Sequence, residues 1–370
     1  MNRLPPIAIS TGLIGLLALA APTQAEQTVT LSAGLFTYYD SNILGYSPEQ
    51  IDDFASGLHP ERFSLETIDD VVFKPSLGLA WEMDQGGGRR HSFSARWAGG
   101  FYARNGTADD GSFSVFWRES FHGARRLSVG YYLLPDYYLR DLYDEDSTAA
   151  PASERYRRAQ FNLQIASVDW SQRLGSKMRL HLGYQYEHRG YNEDFRERTS
   201  GLHQGEAGVS WNRLPGHGLI DVHGGYRVSN AAAQDGDELP GAAPDDPDVS
   251  YHGVLAGVRG RMDVIRGSAG RLGGDVEYDL ETRGYDSTIP ADRYHYGRND
   301  VLNAIEVGLA TSIGRHWSVR ASYRYENNAA SLGAVAPPGT DSGSYRAHHA
   351  GLSVEWSGDI LHRRAAPSED

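Results

Sequence analysis

Links between candidate strands alternate in length and charge along this sequence, and few folds permit that. Between Thr28 and Trp356 the chain reads as strand, long link, strand, short link, with seven long links and six short ones. The long ones carry acids: Glu49, Asp52 and Asp53; Asp144, Glu145 and Asp146; Asp235, Asp237, Glu238, Asp245, Asp246 and Asp248. The short ones carry bases: Arg89 and Arg90, Arg125 and Arg126, Arg173 and Lys177, Arg266 and Arg271, and Arg315. A soluble β-protein has no reason to sort its links by parity. A closed antiparallel barrel across a bilayer does, because odd and even links lie in different compartments.

The strands themselves are read from period-2 alternation, which puts one face in lipid and the other in the lumen. Met178, Leu180, Leu182, Tyr184 and Tyr186 alternate with Arg179, His181, Gly183, Gln185 and Glu187. Trp317 to Glu326 repeats the device, and Leu272, Val276, Tyr278 and Leu280 oppose Asp275, Glu277, Asp279 and Glu281. Similar stretches at 28–40, 67–82, 93–101, 112–121, 127–133, 156–170, 200–212, 220–228, 254–261, 301–310 and 344–356 bring the total to about fourteen strands. No long stretch shows the 3.6-residue period of an amphipathic helix. Glycine clusters such as Gly86-Gly87-Gly88 and Leu174-Gly175-Ser176-Lys177 give the short links the positive φ that tight reversals require.

The first residues, Met1-Asn2-Arg3, an apolar run of about fifteen residues from Ile7 to Ala21, and small residues up to Ala25 have the form of a cleaved secretory signal. Past Ala21 no apolar run approaches the roughly 20 residues of a membrane helix. Mean hydropathy is −0.50, a value suited to strands that face lipid with only every second residue. Cysteine is absent, which excludes disulfides, thiolate metal sites and a thiol nucleophile. A net charge of −13, concentrated in the long links, argues against nucleic acid as a partner.

Aromatic residues sort by strand end. Trp81, Trp170, Trp211, Trp317 and Trp356 stand beside short links or the C-terminus. Tyr38, Tyr39, Tyr102, Tyr137, Tyr138, Tyr191, Tyr251, Tyr285, Tyr294, Tyr296 and Tyr345 gather at the other ends. The expectation is a belt at each membrane interface, where amphipathic rings sit at headgroup level.

The last strand reads His349-Ala350-Gly351-Leu352-Ser353-Val354-Glu355-Trp356. It resembles the C-terminal assembly signal of Gram-negative outer-membrane barrels, with His349, Gly351, Val354 and Trp356 in the fixed places. Such barrels usually stop at the aromatic residue, whereas this chain continues through Arg363, Arg364 and Asp370. The stretch Tyr38-Tyr39-Asp40-Ser41-Asn42-Ile43, with Asp69-Asp70 and Lys74-Pro75-Ser76-Leu77, resembles the opening of porin-like barrels linked to exopolysaccharide systems. Arg283-Gly284-Tyr285-Asp286, Arg298-Asn299-Asp300 and Tyr323 to Asn328 are similar to the barrel of surface lipoprotein assembly modifiers, which also carry a helical repeat domain; none is expected here.

A lumen implies lining residues. The candidates are Arg96, Arg118, Arg179, His181, Asp221, His223, Arg259, Arg261, Asp275, Glu277, Asp279, Glu281, Glu306, Arg320 and Arg324. Two readings stand side by side: a transverse field that selects charged solutes, and cross-strand ion pairs that stiffen the wall. His181, His223 and His349 lie on strands, but no Gly-x-Ser-x-Gly elbow or other nucleophile motif accompanies them, so no catalytic residue is assigned. Acidic clusters such as Asp144-Glu145-Asp146 lack the spacing of a Ca²⁺ loop, so no metal site is assigned either.

The expected architecture is all-β: one antiparallel transmembrane β-barrel of about fourteen strands, with twelve to sixteen as the range. The expected organisation is a signal at 1–25, a barrel at 26–357 and a periplasmic tail at 358–370. The expected function is passive passage of small hydrophilic solutes through an outer-membrane pore with mild cation preference, without enzyme activity or cofactor. Export or assembly of exopolysaccharide or surface lipoprotein is the alternative, and a lipid-modifying barrel enzyme a weaker one. Expected partners are outer-membrane lipid and lipopolysaccharide, the barrel assembly machinery and a small hydrophilic solute.

Overall fold

In a computed structural model the chain forms fourteen strands that close on themselves, each antiparallel to its sequence neighbours, with the last paired to the first. The structure describes residues 25–122, 124–144, 155–214, 218–232, 248–267, 270–288, 292, 294–333 and 341–363. The strands are β1 (Glu26–Asp40), β2 (Asp70–Asp84), β3 (Arg90–Tyr102), β4 (Asp110–Phe121), β5 (Arg125–Tyr143), β6 (Tyr156–Leu174), β7 (Met178–Tyr191), β8 (Ser200–Leu214), β9 (Gly218–Ala231), β10 (Tyr251–Gly267), β11 (Gly270–Tyr285), β12 (Asn299–Ile313), β13 (Trp317–Ser331) and β14 (Tyr345–Arg363). Seven long links and six short ones separate them, in the order that the charge pattern requires. The proposed signal at 1–25 lies almost wholly outside the described residues.

Register carries the inside–outside assignment around the whole wall. Leu35 faces Val354 across the closing seam, Val129 faces Trp117, and Val307 faces Tyr323. These positions form the apolar outer face, where Leu35 is 47% exposed, Val307 46% and Leu352 51%. Such a girdle is untenable in water and expected against lipid hydrocarbon. The alternate residues meet one another across intervening strands: Arg320 of β13 reaches Asp275 of β11, and Arg227 of β9 reaches Glu281 of β11. Side chains on non-neighbouring strands meet readily only on the concave side of a closed wall, so that face is the lumen.

Two boundaries differ from the sequence reading. β14 runs seven residues past Trp356 to Arg363, because Gln27 to Leu31 of β1 continue to offer it pairing partners. Residues 358–363 are therefore strand, and 364–370 lie outside the described residues. β5 extends to Tyr143, beyond the expected end at Leu133, with register shifts between Leu134 and Tyr137 and between Tyr138 and Arg140. Pro135 and the positive φ of Asp136 (51°) sit in that irregular stretch and break the alternation that period-2 reading depends on.

The first long link holds a helix, α1 (Pro48–Ser56), too short to register as a period in the sequence. Its start is a reciprocal cap. Ser47 Oγ accepts from the Gln50 N–H at 3.2 Å, and Gln50 Oε1 accepts from the Ser47 N–H at 3.2 Å. Gly57, at φ 66°, ends it in the left-handed conformation.

Candidate functional site: the lumen and its mouth

The fifteen sequence-predicted lining residues all fall on the inward parity, but they do not form one kind of surface. On β9 to β13 they are bound to each other. Arg259 Nε donates to Glu277 Oε2 at 2.8 Å. Arg320 Nη2 donates to Asp275 Oδ2 at 2.8 Å and to Glu306 Oε1 at 2.9 Å. Glu281 accepts from Arg227 Nη1 at 2.8 Å and from Arg283 Nε at 2.5 Å. Arg324 lies 3.2 Å from Glu326 on its own strand, and Arg261 stands in register opposite Asp275. The ion-pair reading of the acidic ladder is what the geometry displays along this wall.

Several of these contacts span a strand, and glycine makes that possible. Asp275 and Arg320 lie on β11 and β13, and the guanidinium passes directly over Gly308 of β12. His223 and Asp279 lie on β9 and β11, 3.8 Å apart, with the imidazole over Gly257 of β10. A Cβ at Gly257 would sit 2.5 Å from His223 Cε1 and 2.8 Å from Asp279 Oδ1, so no larger residue fits without moving the pair. His181 of β7 lies over Gly208 of β8 in the same manner, 3.7 Å from Asp221 of β9. Asp221 also accepts from Ser210 Oγ at 2.5 Å and lies 3.4 Å from His223. Among the described residues no serine or threonine hydroxyl bonds to His181, His223 or His349, and no His/Asp/Glu group is arranged to hold a metal ion.

The wall from β3 to β7 differs. Arg96 donates to Ser76 Oγ at 2.8 Å and Arg179 to Ser171 Oγ at 2.9 Å, neutral acceptors in both cases. Arg118 and Arg179 are close enough to Arg126 to repel it. None of these four arginines forms an ion pair among the described residues. Beside them a cavity of about 360 Å³ opens in the inner surface, bounded by Phe116, Tyr132, Asp169, Gln185 and Glu206, with His181 at its edge. Sequence reading missed Asp169 and Glu206. The available signal was the inward alternation Ser167, Asp169, Ser171 on β6 and Gln204, Glu206, Gly208, Ser210 on β8.

At the mouth, many tyrosines expected in a lipid-facing belt turn inward instead. Tyr38, Tyr102, Tyr251, Tyr285 and Tyr345 have lumen parity and are interleaved with cations. Lys74 lies 5.4 Å from the Tyr38 ring, Arg283 5.3 Å from Tyr251 and Arg298 5.2 Å from Tyr285. Tyr39, 43% exposed, keeps the outward place. The strand-end sorting is real, but period-2 parity rather than strand end decides which side a ring takes.

The first long link leans over this mouth. Tyr46 and Leu65 are buried with Ala108 of the β3–β4 link and Tyr138 of β5. Arg140 of β5 stacks on Tyr46 at 5.1 Å and donates to the Leu44 carbonyl at 2.6 Å. To touch β5 from the end of β1, the link must pass above β3 and β4. Burial pushes the Tyr46 phenol up to about 12. On its other side Ser47 Oγ donates to Asp341 Oδ2 at 2.7 Å, and Glu49 shares a proton contact with Asp341 that raises its carboxyl above the usual range.

In β14 the resemblance to the assembly signal takes a two-sided form. His349 and Gly351 point inward; His349 lies 3.3 Å from Asp40, and Phe36 and Tyr38 lean over Gly351. Val354 and Trp356 point outward, with Trp356 paired to Trp317.

A single closed barrel of fourteen strands, apolar outside and charged inside, defines the class: a transmembrane β-barrel. No protein-family model matches this sequence, and no curated protein does. Solved structures with similar outlines include a bacterial polysaccharide outer membrane secretin (10% identity, TM-score 0.44, covering 89% of this chain and 98% of that one). An anion-selective porin from Comamonas acidovorans is similar at 10% identity and TM-score 0.41, over 90% of this chain and 100% of that one. The outer membrane protein OprD from Pseudomonas aeruginosa is similar at 10% identity and TM-score 0.39, over 92% and 95%. At these scores the likenesses carry no argument about solute or partner; the class rests on the closed wall itself.

Proposed function

We propose that this chain is a passive outer-membrane channel for small hydrophilic solutes, with a mild preference for cations. One observation carries the reading: fourteen strands close around a charged interior, and a wall of that circumference is too wide for its own side chains to fill. The fifteen lining residues named above then border the conduit. Acids on the long links, among them Glu49, Asp52, Asp53 and Asp69, raise local cation concentration at low salt. In the same reading the long links face outward, lipopolysaccharide surrounds them, and the barrel assembly machinery reads His349, Gly351, Val354 and Trp356.

The test is electrical. Refolded protein in planar bilayers under a potassium chloride gradient is expected to give stable conductance with a reversal potential of cation-selective sign. An anion-selective sign overturns the preference, and absence of any conductance overturns the channel.

A further inference from the structure

The cavity beside β4 to β8 brings aromatic rings, carboxylates and amides to one place on the inner wall. Phe116 lies across Gly130 of the adjoining strand, with its Cδ1 2.7 Å from where a Cβ would sit. The ring remains 39% exposed, a flat apolar face turned to the lumen, and Tyr132 adds a second ring nearby. From there two cross-strand rows run along the wall. One is Ser167, Gln185, Gln204; the next is Asp169, Gly183, Glu206. Gly183 keeps the second row open, since a Cβ there would sit 3.0 Å from Asp169 Oδ1. Gln204 has its oxygen engaged by Arg227 Nη2 at 2.9 Å, leaving its NH₂ free to donate. Asp169, Gln185 and Glu206 make no hydrogen bond or ion pair among the described residues, although every carboxylate of the 275–281 ladder except Asp279 is bound to arginine.

The charge of the solute follows from these groups. An anion would meet two free carboxylates. A cation would meet Arg118, within electrostatic reach of Asp169. An uncharged solute rich in hydroxyls meets acceptors in Asp169 and Glu206, amides in Gln185 and Gln204, and an aromatic platform for its C–H face. The cavity, at about 360 Å³, falls in the range of small-molecule sites, ~300–1,000 Å³. We infer that this cavity is a subsite for a neutral mono- or disaccharide on its way through the lumen. The inference rests on the channel reading for its role in transit, but the binding itself does not.

The experiment compares glucose, glucosamine and gluconate, which share a carbon skeleton and differ in charge. Full-length protein in planar bilayers is expected to show a saturable fall in current with glucose, weaker with the other two. Phe116→Ala and Glu206→Gln, the second nearly isosteric, are each expected to raise the half-blocking concentration about tenfold, as loss of one such contact should. A fall that is linear in glucose and unmoved by both variants overturns the proposal, as does tighter block by glucosamine or gluconate. If no conductance appears, the channel reading fails, and calorimetric titration of the detergent-solubilised chain with glucose decides the subsite. Heat evolved by the parent chain and lost in Glu206→Gln sustains it, and no heat overturns it.

Discussion

The wall from β9 to β13 and the wall from β3 to β8 are built from the same alternating strands, yet they spend their charges differently. The first has most of its arginines bound to carboxylates, often across an intervening glycine. Among the described residues the second leaves Arg96, Arg118, Arg126 and Arg179 without an ion pair, and Asp169 and Glu206 without a hydrogen bond to a base. Pairing neutralises a field and fixes side chains in place; leaving groups unpaired keeps them available to whatever enters. The difference therefore reads as a division of labour between a stiffened side and a contacting side.

That contrast can be broken experimentally, and the largest effect should come from Glu281. It is only 11% exposed at its side chain and serves both Arg227 and Arg283. Glu281→Ala takes the carboxylate partner from two guanidinium groups, leaving Arg227 only its bond to Gln204, and should cost about 3 kcal/mol in urea unfolding of the detergent-folded barrel. An equal loss from Glu206→Ala would erase the distinction between the walls. Next comes Gly308→Val, which displaces the Arg320 guanidinium from its seat over β12 and should cost roughly 1–3 kcal/mol by overpacking. Selectivity gives a finer test. Arg179→Gln removes a charge that no carboxylate pairs with among the described residues and should shift the reversal potential towards cations more than Arg259→Gln, whose charge Glu277 screens.

The smallest expected effect lies at the mouth. Asp341 raises the Glu49 carboxyl, chiefly by sharing a hydrogen bond, so the folded link holds that proton more tightly than an unfolded one. The contact is at full strength below the ordinary value of 4.5 and weakens as pH rises through the raised one. Amide protection of residues 48–56 should accordingly be higher at pH 4.5 than at pH 7.5, and Glu49→Gln should remove the difference.

Much of the barrel is legible in the sequence because its main constraint, which face meets lipid, is written every second residue. Arg259, Glu277, Asp275 and Arg320 were identifiable as lumen residues on that ground alone. The pairing of Arg320 with Asp275 was not, since it depends on Gly308 standing between them in register. The same limit applies to the tyrosines, whose position along a strand is visible while their side depends on parity. α1 escaped because nine residues in an acidic link carry no period, although Ser47 and Gln50 spell its cap. The irregular part of β5 escaped because Pro135 and Asp136 interrupt the alternation just where Tyr138 and Arg140 turn to receive the first link.

The bond from Ser47 to Asp341 ties the earliest hairpin of the chain to the latest. Nearly three hundred residues separate its two ends, so the loop-closure entropy it demands is recovered only after the seam between β1 and β14 has zipped. During insertion the link can settle on β5 through Tyr46 and Arg140, but its Ser47 anchor must wait for the final ribbon. The Ser47 anchor thus serves as a timestamp: amides at residues 47–50 should exchange faster in half-built cylinders than in finished ones.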